Sequence, residues 1–345
     1  MLEGTSEPCN AWGSMKRMVL HEPRRIETAP LCLEEAPDLP PADHEIALAV
    51  RACAVCRTDL QLVEGDLSPR RLPLVVGHQV VGVVTDVGAR VTRWSVGDRV
   101  AVGWLGAACG RCLHCIAGRE NLCERAAFTG WDLDGGYATR IVVNAEFAFG
   151  LPAGFDEIEA APLLCGGVIG YRSLKRAGVR PGARVGLYGF GASALLAMQI
   201  ARHWGCHVFV ATRSPLEQSR AREMGAVWAG GYDEEPPERL DCAVTFAPVG
   251  DVVIAALRAT TRGGTVAINA IHLDRVPQFS YDLLWWERNL VSVANYTRQD
   301  ATELLELAAT IPLRTRFERH ALDDANIALQ RLRSGKVSGS AVLVM

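Results

Sequence analysis

The stretch that decides the fold runs from Leu187 to Ala194 and reads Leu-Tyr-Gly-Phe-Gly-Ala-Ser-Ala. It follows a strand-like apolar run and opens a helical pattern, so it presents G-x-G-x-x-A between a strand and a helix. That context is the fingerprint of a dinucleotide-binding βαβ unit, in which glycines let the backbone approach a pyrophosphate and the helix N-terminus supplies partial positive charge. The predicted cofactor-binding positions are Gly189, Gly191, Ala192 and Ala194, with Ala194 in place of the third glycine.

Strand and helix patterns alternate on both sides of this motif. Alternation with short loops predicts a parallel sheet covered by helices on both faces. The predicted strands are Arg184–Tyr188, His207–Thr212, Asp241–Phe246 and Thr265–Ala270. The predicted helices are Gly166–Ala177, Ala192–Trp204, Pro215–Met224, Asp251–Thr260 and, further on, Ala301–Ala309.

The part before residue 151 has a different pattern, because short apolar runs there are broken by Gly, Pro and Asp. We predict strands of an irregular β-rich domain at Glu45–Ala54, Val80–Val87, Arg99–Val102 and Ala138–Val143. The apolar strand Ser340–Val344 ends the chain, and we expect it to return to this first domain. A length of 345 residues suits two domains, since single cores rarely grow beyond about 250–300 residues.

Composition excludes several classes of protein. A formal net charge of -3 provides no basic field for nucleic acid or anionic lipid, and no apolar run is long enough to span a bilayer. The first residues, 1–14, do not resemble a signal peptide, and we expect them to be poorly ordered. Eleven cysteines at uneven spacing argue against a disulfide framework. We therefore expect a cytoplasmic protein with metal sites.

A four-cysteine segment is the strongest local metal signal. It reads Cys109-Gly-Arg-Cys112-Leu-His-Cys115 and is followed by Cys123. Four thiolates with no open position are typical of a structural zinc. An iron–sulfur cluster also uses four thiolates, but the rest of the chain supplies no electron-transfer context. Core cysteines that cluster by chance are the other alternative, although such spacing rarely arises at random.

A second set of candidate ligands is dispersed along the chain. Cys56 lies in Cys-Arg-Thr-Asp, His78 in Gly-His-Gln and Cys165 in Leu-Cys-Gly-Gly. Each residue alone is more often structural. In their order along the chain, around the four-cysteine segment and before the dinucleotide motif, they resemble the zinc-dependent alcohol dehydrogenases of the medium-chain dehydrogenase/reductase superfamily. This resemblance extends from about Met15 to Met345.

The resemblance implies an α/β fold, with a β-rich GroES-like catalytic domain plus a Rossmann domain containing a doubly wound parallel sheet. The implied domains are residues 1–160 with 297–345, which carry both zinc sites, and residues 161–296. The implied activity is hydride transfer between a nicotinamide cofactor and a primary or secondary alcohol, an aldehyde or a ketone. Relatives of this kind are commonly homo-oligomers, dimers or tetramers.

The resemblance also assigns roles around a catalytic zinc, which makes two zinc ions per chain. Cys56, His78 and Cys165 would bind this ion and leave a fourth position for water or substrate, whose hydroxyl pKa the ion lowers. Asp59 would accept the second ring N–H of His78 and fix its tautomer. The alternative for Asp59 is an acid that stabilises a helix N-terminus. Thr58 would take the proton of the reacting hydroxyl.

Two positions depart from the family pattern. The proton relay usually continues from the threonine to a histidine three residues later, where this chain has Gln61. A glutamine can pass a hydrogen bond but cannot hold the proton at neutral pH. The family usually has glutamate beside the ligand histidine, where this chain has Gln79. Loss of that carboxylate makes the site less negative, so both glutamines bear on catalysis.

The end of the second parallel strand bears on cofactor choice. NAD enzymes usually place an acid there to accept the ribose 2′-hydroxyl. This chain has Thr212, Arg213 and Ser214 instead, which can donate to a 2′-phosphate. We therefore predict that NADP(H) is favoured over NAD(H), with NAD and a solvated Arg213 as the alternative. By resemblance, Arg57 would reach the pyrophosphate and Ile169 would pack against the nicotinamide ring.

Large side chains suggest the walls of the substrate pocket. Trp104 matches a pocket aromatic of small-alcohol enzymes in this family, and Trp131 and Val63 are similar by position. Trp285 and Trp286 fit the core or an interface better than the pocket. The rival functions are a zinc-free reductase of the same superfamily and a nucleotide-binding redox sensor; the six cysteine ligands disfavour the first. The sequence does not name the small-molecule alcohol or aldehyde.

Overall fold

The computed structural model describes residues 13–270, 273, 275–311 and 313–345. Within them the strands, numbered in chain order, are β1 Ser14–Leu20, β2 Leu31–Pro37, β3 Glu45–Ala54, β4 Leu74–Val75, β5 Val80–Val87, β6 Arg99–Val102, β7 Leu105–Ala107, β8 Ala127–Phe128, β9 Arg140–Asn144, β10 Ala148–Gly150, β11 Arg184–Tyr188, β12 His207–Ala211, β13 Trp228–Gly230, β14 Leu240–Thr245, β15 Thr260–Ile268, β16 Asn289–Ser292, β17 Phe317–Ala321 and β18 Ser340–Val344. The α-helices are α1 Arg57–Glu64, α2 Leu113–Ile116, α3 Glu157–Ala160, α4 Gly166–Arg176, α5 Ala192–His203, α6 Pro215–Glu223, α7 Gly250–Ala259, α8 Arg298–Thr310 and α9 Ala325–Arg333.

Six parallel strands form the sheet of the dinucleotide fold. Their spatial order is β13-β12-β11-β14-β15-β16, which corresponds to 3-2-1-4-5-6 in chain order. This is the Rossmann order, and a ligand crevice is expected where the order reverses, between β11 and β14. The loop that leaves β11 at this point carries Gly189 and Gly191. The predicted Rossmann sheet is therefore confirmed.

The other large sheet is built mainly from the N-terminal part of the chain. Its strands follow the order β10-β6-β5-β3-β18-β17, and β9 also pairs with β3. The last strand, β18, pairs antiparallel with β3, so the C-terminal tail lies in this first sheet. Strand β3 has few charged residues because it is buried on both faces, at the centre of the sheet. This β-rich part is the GroES-like half of the predicted fold class.

One apolar core cluster joins the two sheets. It contains Ala52 and Val81 of the first sheet, Val185 of the parallel sheet, and Leu163 and Leu164 between them. Burial of these side chains stabilises the arrangement by about 25 cal/mol for each Å² of apolar surface removed from water. Because Cys165 directly follows Leu164, the core also fixes the position of a candidate ligand.

The predicted elements agree with the observed bounds to within a few residues, except at one strand start. Strands β13 and β16 of the parallel sheet carried no prediction, nor did elements such as β2, α1 and α9. Strand β15 begins at Thr260, five residues before its predicted start, since a bulge near Leu240 extends its pairing with β14. Residues 1–12, part of the segment expected to be poorly ordered, lie outside the described residues, whereas Ser14 begins strand β1. Among the described helices none is long and apolar enough to cross a membrane.

Candidate active site and metal centres

Three separate elements bring the dispersed ligand set together. Cys56 is the N-cap residue of α1, Cys165 is the N-cap residue of α4, and His78 lies in the loop between β4 and β5. Their ligand atoms all lie within 4.8 Å of one another. The imidazole of His78 is only 1% exposed. The structure therefore places at one buried point three donors that are up to 109 residues apart along the chain.

The donor set fits a tetrahedral zinc ion in both chemistry and spacing. Sulfur ligands at about 2.3 Å from a tetrahedral centre lie about 3.8 Å apart. The Sγ atoms of Cys56 and Cys165 are 3.8 Å apart, which is far beyond a disulfide bond of about 2.05 Å. Two sulfurs and one imidazole leave one position open, as catalytic rather than structural zinc sites do.

The thiols of Cys56 and Cys165 differ in pKa. The sulfur–sulfur hydrogen bond with Cys165 lowers the pKa of the Cys56 thiol well below its usual range. The same bond, together with burial, raises the pKa of Cys165. A thiolate is the form that binds a cation, so Cys56 is prepared for metal, and Cys165 must release its proton as the ion binds.

Asp59 performs both roles that the sequence left open. As the third residue of α1 it accepts the backbone N–H of Cys56 at Oδ2, at 2.8 Å, which closes a capping box. Its Oδ1 lies 2.9 Å from Nδ1 of His78, and the hydroxyl of Tyr137 donates to Oδ2 at 3.4 Å. Burial opposes a charged imidazolium, but Asp59 and, to a smaller extent, Cys56 outweigh it and raise the pKa of His78 to about 10. Because Nδ1 faces Asp59, Nε2 is left for the side of the sulfurs, and a metal ion bound there would displace the Nε2 proton.

Thr58 and Gln79 lie beside this centre, and Gln61 follows Thr58 on α1. The Thr58 hydroxyl oxygen lies 3.8 Å from the sulfur of Cys56. Gln61 is half-buried one turn further along α1, so the two side chains share a helix face. Gln79 is buried, and its side-chain amide donates to the carbonyl oxygen of Ala54 at 3.1 Å. This bond anchors the residue that replaces the usual glutamate.

The four-cysteine segment, residues 109–123, forms a separate lobe. The four Sγ atoms lie within 4.8 Å of one another, and those of Cys112 and Cys115 are 3.5 Å apart. Backbone N–H groups of Cys109 and Cys115 donate to sulfurs of the cluster at 3.5 Å. Such hydrogen bonds stabilise thiolates. The four sulfurs therefore also fit one zinc ion, with all four coordination positions filled.

The glycine loop after β11 fits a pyrophosphate. Gly189 has φ +93°, and a Cβ there would lie 2.9 Å from the backbone nitrogen of Ala247. Gly191 is the N-cap residue of α5, and a Cβ there would meet no atom of the described residues within 4 Å. The loop is therefore tight on its inner side and open where a phosphate group would approach the helix N-terminus. Ala194, in the third glycine position, is fully buried.

The end of β12 presents a more complex polar cluster than the sequence suggested. The Thr212 hydroxyl donates to Oε2 of Glu217 at 2.6 Å. The Ser214 hydroxyl oxygen accepts the backbone N–H of Glu217 at 3.3 Å and caps α6. Arg213 is exposed. Burial raises the pKa of the nearby Tyr232 hydroxyl, and the two charges act on this pKa in opposite directions, since Arg213 lowers it and Glu217 raises it. Two of the three predicted phosphate donors are thus engaged with Glu217, an acid that the sequence analysis did not consider.

A cleft of about 530 Å³ extends from the two cysteines of the buried ligand set to the start of α5, directly after the dinucleotide loop. Its lining includes Cys56 and Cys165 at one end, and Ala192 and Ser193 at the start of α5. Arg57 lies exposed at the start of α1 and also lines the cleft. One cavity therefore places two sulfurs of the metal-type centre near the helix start that follows the glycine loop, an arrangement suited to metal-assisted chemistry on a substrate held beside a dinucleotide.

An aromatic wall stands beside His78. The Trp104 ring lies 4.8 Å from the imidazole centroid and stacks on Phe128 and Trp131 at 5.3 and 5.7 Å. The guanidinium of Arg70 covers Trp131 at 3.9 Å. Phe128 and Arg70 were not predicted, because Phe128 comes here through the pairing of β8 with β7, and Arg70 through the loop between α1 and β4. The wall presents aromatic surface on one side of the centre.

Val63, predicted for the substrate pocket, and Ile169, predicted beside the nicotinamide ring, are buried and half-buried respectively. Val63 is fully buried within the apolar core of the first domain, which gives it a packing role there. Ile169 is half-buried in the first turn of α4, and its backbone N–H donates to Cys165 at 2.9 Å. Trp285 and Trp286 are 55% and 45% exposed beside the edge strand β16. They are therefore not core residues of the described chain.

The Rossmann sheet, the β-rich domain and the joined metal-type and nucleotide sites define a medium-chain dehydrogenase/reductase. Two family profiles match the chain: the alcohol dehydrogenase GroES-like domain over residues 42–153 and the zinc-binding dehydrogenase domain over residues 194–310. The chain belongs to the zinc-dependent alcohol dehydrogenase family, and it is an oxidoreductase.

Individual relatives agree with this assignment. A probable alcohol dehydrogenase, AdhA, of Mycobacterium tuberculosis is 43% identical over 96% of this chain and 98% of its own length. An alcohol dehydrogenase of Geobacillus stearothermophilus is 34% identical over 87% of this chain and 91% of its own. A cobalt- and zinc-bound thermostable alcohol dehydrogenase of Pyrobaculum aerophilum superposes with a TM-score of 0.85, at 26% identity, over 96% of this chain and 100% of the other. The predicted family, fold class and general function are confirmed.

Proposed function

We propose that this chain is a zinc-dependent, NAD(P)-linked alcohol dehydrogenase that also reduces aldehydes or ketones, with two zinc ions per chain. The observation that carries the proposal is the cleft lined both by Cys56 and Cys165 and by Ala192 and Ser193, which directly follow the glycine loop of the dinucleotide fold. The metal-bound relative from Pyrobaculum aerophilum supports zinc as the cofactor. Small-molecule alcohols, aldehydes or ketones are the proposed substrates.

Each residue of the buried centre has a distinct proposed task. Cys56, His78 and Cys165 would hold the catalytic ion, which when bound supplies Lewis acidity to a substrate oxygen. Asp59 keeps the proton of His78 on Nδ1, so that Nε2 remains a donor atom. Thr58 stands beside Cys56, where its hydroxyl can accept the proton of a reacting alcohol and pass on its own.

The wall beside the centre would orient the substrate and exclude water. Trp104 restricts the space next to His78, and Phe128 and Trp131 extend the apolar surface toward Arg70. A water-poor site strengthens electrostatic interactions at the reacting oxygen and protects the hydride from side reactions. On the cofactor side, Ile169 would pack against the nicotinamide ring and Arg57 would pair with the pyrophosphate.

Cofactor choice rests on opposed charges at the end of β12. We propose NADP(H) in preference to NAD(H), because the exposed Arg213 can pair with a 2′-phosphate. Glu217 acts in the other direction, since its carboxylate repels a phosphate and accepts the Thr212 hydroxyl. A charge-assisted bond from Arg213 is worth about 1.5–3 kcal/mol, or about ten- to a hundredfold in affinity. Removal of Glu217's charge is expected to increase the preference further.

The proposed domain division follows the sheets. Residues 1–160 and 297–345 would form the catalytic domain, because β17 and β18 join its sheet, and residues 161–296 would form the Rossmann domain. A homo-oligomer is proposed from the exposed Tyr281, Trp285 and Trp286 near the edge strand β16. The many thiol ligands favour a reducing, cytoplasmic location for the enzyme.

The test is elemental analysis of the zinc-loaded protein together with turnover on a panel of alcohols, aldehydes and ketones, using both cofactors. We expect two zinc ions per chain and turnover with NADPH about ten- to a hundredfold more efficient than with NADH. Arg213→Ala should remove this preference through the KM of NADPH, and Glu217→Gln should increase it, with the exposed Glu306→Gln on α8 as a charge-matched control.

Other outcomes would change the proposal. One zinc per fully loaded chain would overturn the two-site assignment. Equal efficiency with both cofactors would overturn the cofactor preference alone. Tight nucleotide binding without turnover of any substrate in the panel would instead favour a nucleotide-binding redox sensor.

A further inference from the structure

Residues of the four-cysteine lobe bind the segment through which the chain returns from the Rossmann domain to the first domain. This connection, residues 293–297, leads from the last Rossmann strand, β16, into α8. Glu120 lies within the lobe and is 4% exposed. Its Oε1 accepts the backbone N–H of Arg298 at 2.8 Å and the side-chain Nε of Arg298 at 3.2 Å. A buried carboxylate thus holds the first residue of α8.

A second lobe residue holds the other end of the same connection. The side-chain amide of Asn121 donates to the carbonyl oxygen of Ala294 at 2.6 Å. Between these two anchors, Asn295 adopts a left-handed conformation with φ +57°, which asparagine tolerates better than most residues. The connection therefore has a fixed, sharply turned path, and adjacent lobe residues bind it on both sides of the turn.

The held segment carries Tyr296 into the first domain. The Tyr296 hydroxyl is buried and accepts the backbone N–H of Leu105 at 3.3 Å. It fits there because residue 103 is glycine: a Cβ on Gly103 would lie 2.0 Å from that hydroxyl oxygen and 3.0 Å from the carbonyl oxygen of Leu164. Gly103 and Leu105 flank Trp104, and Leu164 precedes Cys165.

An ion-pair network links the same helix start, that of α8, to helix α4. Asp300 is buried in the first turn of α8 and accepts the N–H and hydroxyl of Thr297 at 2.9 and 2.8 Å. Its carboxylate also pairs with Arg172 at 2.5 Å and Lys175 at 3.1 Å. Both cations lie on α4, which begins directly after Cys165. Ion pairs therefore link the start of α8 to the helix that follows Cys165.

From these contacts we infer that Glu120 is a positioning residue for the reaction. It acts through Arg298 and Tyr296, which set where the Rossmann domain meets Trp104 and the segment that precedes Cys165. The lobe, with its four cysteines, is thus a clamp on the inter-domain joint. Productive hydride transfer needs the reacting atoms within a narrow range of distance, so a loosened joint lowers the rate more than it lowers cofactor affinity.

The test compares Glu120→Ala with Glu120→Gln in the zinc-loaded full chain. The exposed Glu124→Ala in the same lobe serves as control. Hydrogen exchange of the Arg298 amide is measured first, since this N–H is bound directly to Glu120. We expect exchange at least about tenfold faster in Glu120→Ala, because a bond to a charged group is lost. Exchange should be near the original rate in Glu120→Gln, whose amide oxygen can still accept the bond.

The kinetic arm rests on the proposed function. In Glu120→Ala we expect kcat to fall about tenfold, while zinc content stays unchanged and the Kd of NADPH stays within about twofold. Tyr296→Phe removes a single hydroxyl, so it should lower kcat in the same way and should not add to the effect of Glu120→Ala. Glu124→Ala should behave as the original protein does.

Two results would overturn the inference. One is an Arg298 amide that exchanges equally slowly in Glu120→Ala and in the original chain. The other is faster exchange without any change in kcat. If Glu120→Ala does not fold, an unchanged kcat in Tyr296→Phe overturns it as well. If the protein turns over no alcohol, the proposed function fails, and the exchange measurement still decides whether Glu120 holds the connection.

Discussion

The two cysteine clusters are built in opposite ways. The four-cysteine lobe takes its donors from one short loop, is half-exposed, and stabilises its sulfurs with its own backbone N–H groups. The buried centre takes Cys56, His78 and Cys165 from three distant elements that only the finished fold brings together. A local cluster depends on its loop, whereas an assembled centre depends on the whole core. Loss of a ligand should therefore affect stability in the first case and chemistry in the second.

Cys165→Ala is expected to have the largest effect on activity. It removes one of the three donors of the buried centre while preserving the apolar core around Leu163 and Leu164. We expect activity to fall at least about a thousandfold, because Lewis acidity supplies several kcal/mol of the catalysed reaction. The measurements are kcat/KM, zinc content and the unfolding midpoint, with the buried Cys206→Ala in the Rossmann domain as control.

The two cysteine clusters are expected to respond differently to this substitution. Cys165→Ala should lose about one zinc per chain and remain folded with an intact lobe, since the lobe's donors are all local. A variant that retained full activity, or that unfolded as a whole, would contradict the assignment of separate roles to the two clusters.

Cys112→Ala should produce the complementary result. Cys112 caps α2 and its sulfur accepts the N–H of Cys115, so its loss removes a cap together with a proposed metal ligand. Loss of a structural metal belongs to the largest class of destabilising effects, and we expect the free energy of unfolding to fall by about 4 kcal/mol. Chemical denaturation measures this change, with the exposed Cys32→Ala as control. Unchanged stability together with lost zinc would mean that the lobe does not depend on its metal.

The same contrast explains how much could be predicted from sequence. The lobe and the glycine loop around Gly189 are local patterns whose spacing reflects their chemistry directly. The buried set was found only through the family resemblance, since no spacing rule relates His78 to Cys165. Asp59 shows an intermediate case, because the sequence offered a helix-capping role and a histidine-orienting role, and the fold combines them in one carboxylate.

Residues that tertiary packing brings to the site were missed in the sequence, for different reasons. Phe128 joins the wall beside His78 because β8 pairs with β7, and Glu217 reaches Thr212 from the next helix. The Thr212–Glu217 pair could have been suspected, since position 217 is one turn into a helix that starts just after the strand. Glu120 could not, because its partner Arg298 is 178 residues away.

Asp59→Asn should have an intermediate effect that sharpens the comparison. Asparagine has a single carbonyl oxygen, so it cannot accept both the Cys56 N–H and the proton on Nδ1 of His78. Loss of an outer partner of this kind typically costs about 10- to 100-fold in metal affinity or activity. Competition with a chelator measures zinc affinity, and the exposed Asp66→Asn serves as control. Loss from the buried centre alone, with the lobe's zinc retained, is the expected pattern; equal loss from both would contradict it.

The smallest expected effect concerns proton release from the buried centre, a problem that the exposed lobe does not have. Thr58 and Gln61 share one face of α1, so a proton accepted by the Thr58 hydroxyl can be passed toward position 61, where glutamine cannot hold it. Histidine at that position has a pKa of about 6.5 and would be a competent base at pH 7. A positioned base contributes on the order of a hundredfold, and hydroxide already replaces part of it, so we expect Gln61→His to accelerate oxidation about tenfold at pH 7 and little at high pH. In the original chain, the rate of oxidation should therefore rise steeply with pH, and reduction should be faster than oxidation near neutrality, because water can deliver the proton that reduction needs.

The measurement is a pair of pH–rate profiles for oxidation, with cofactor Kd as the control that should not change. Profiles that superimpose would show that proton exit does not limit the rate and that Gln61 is a neutral spacer.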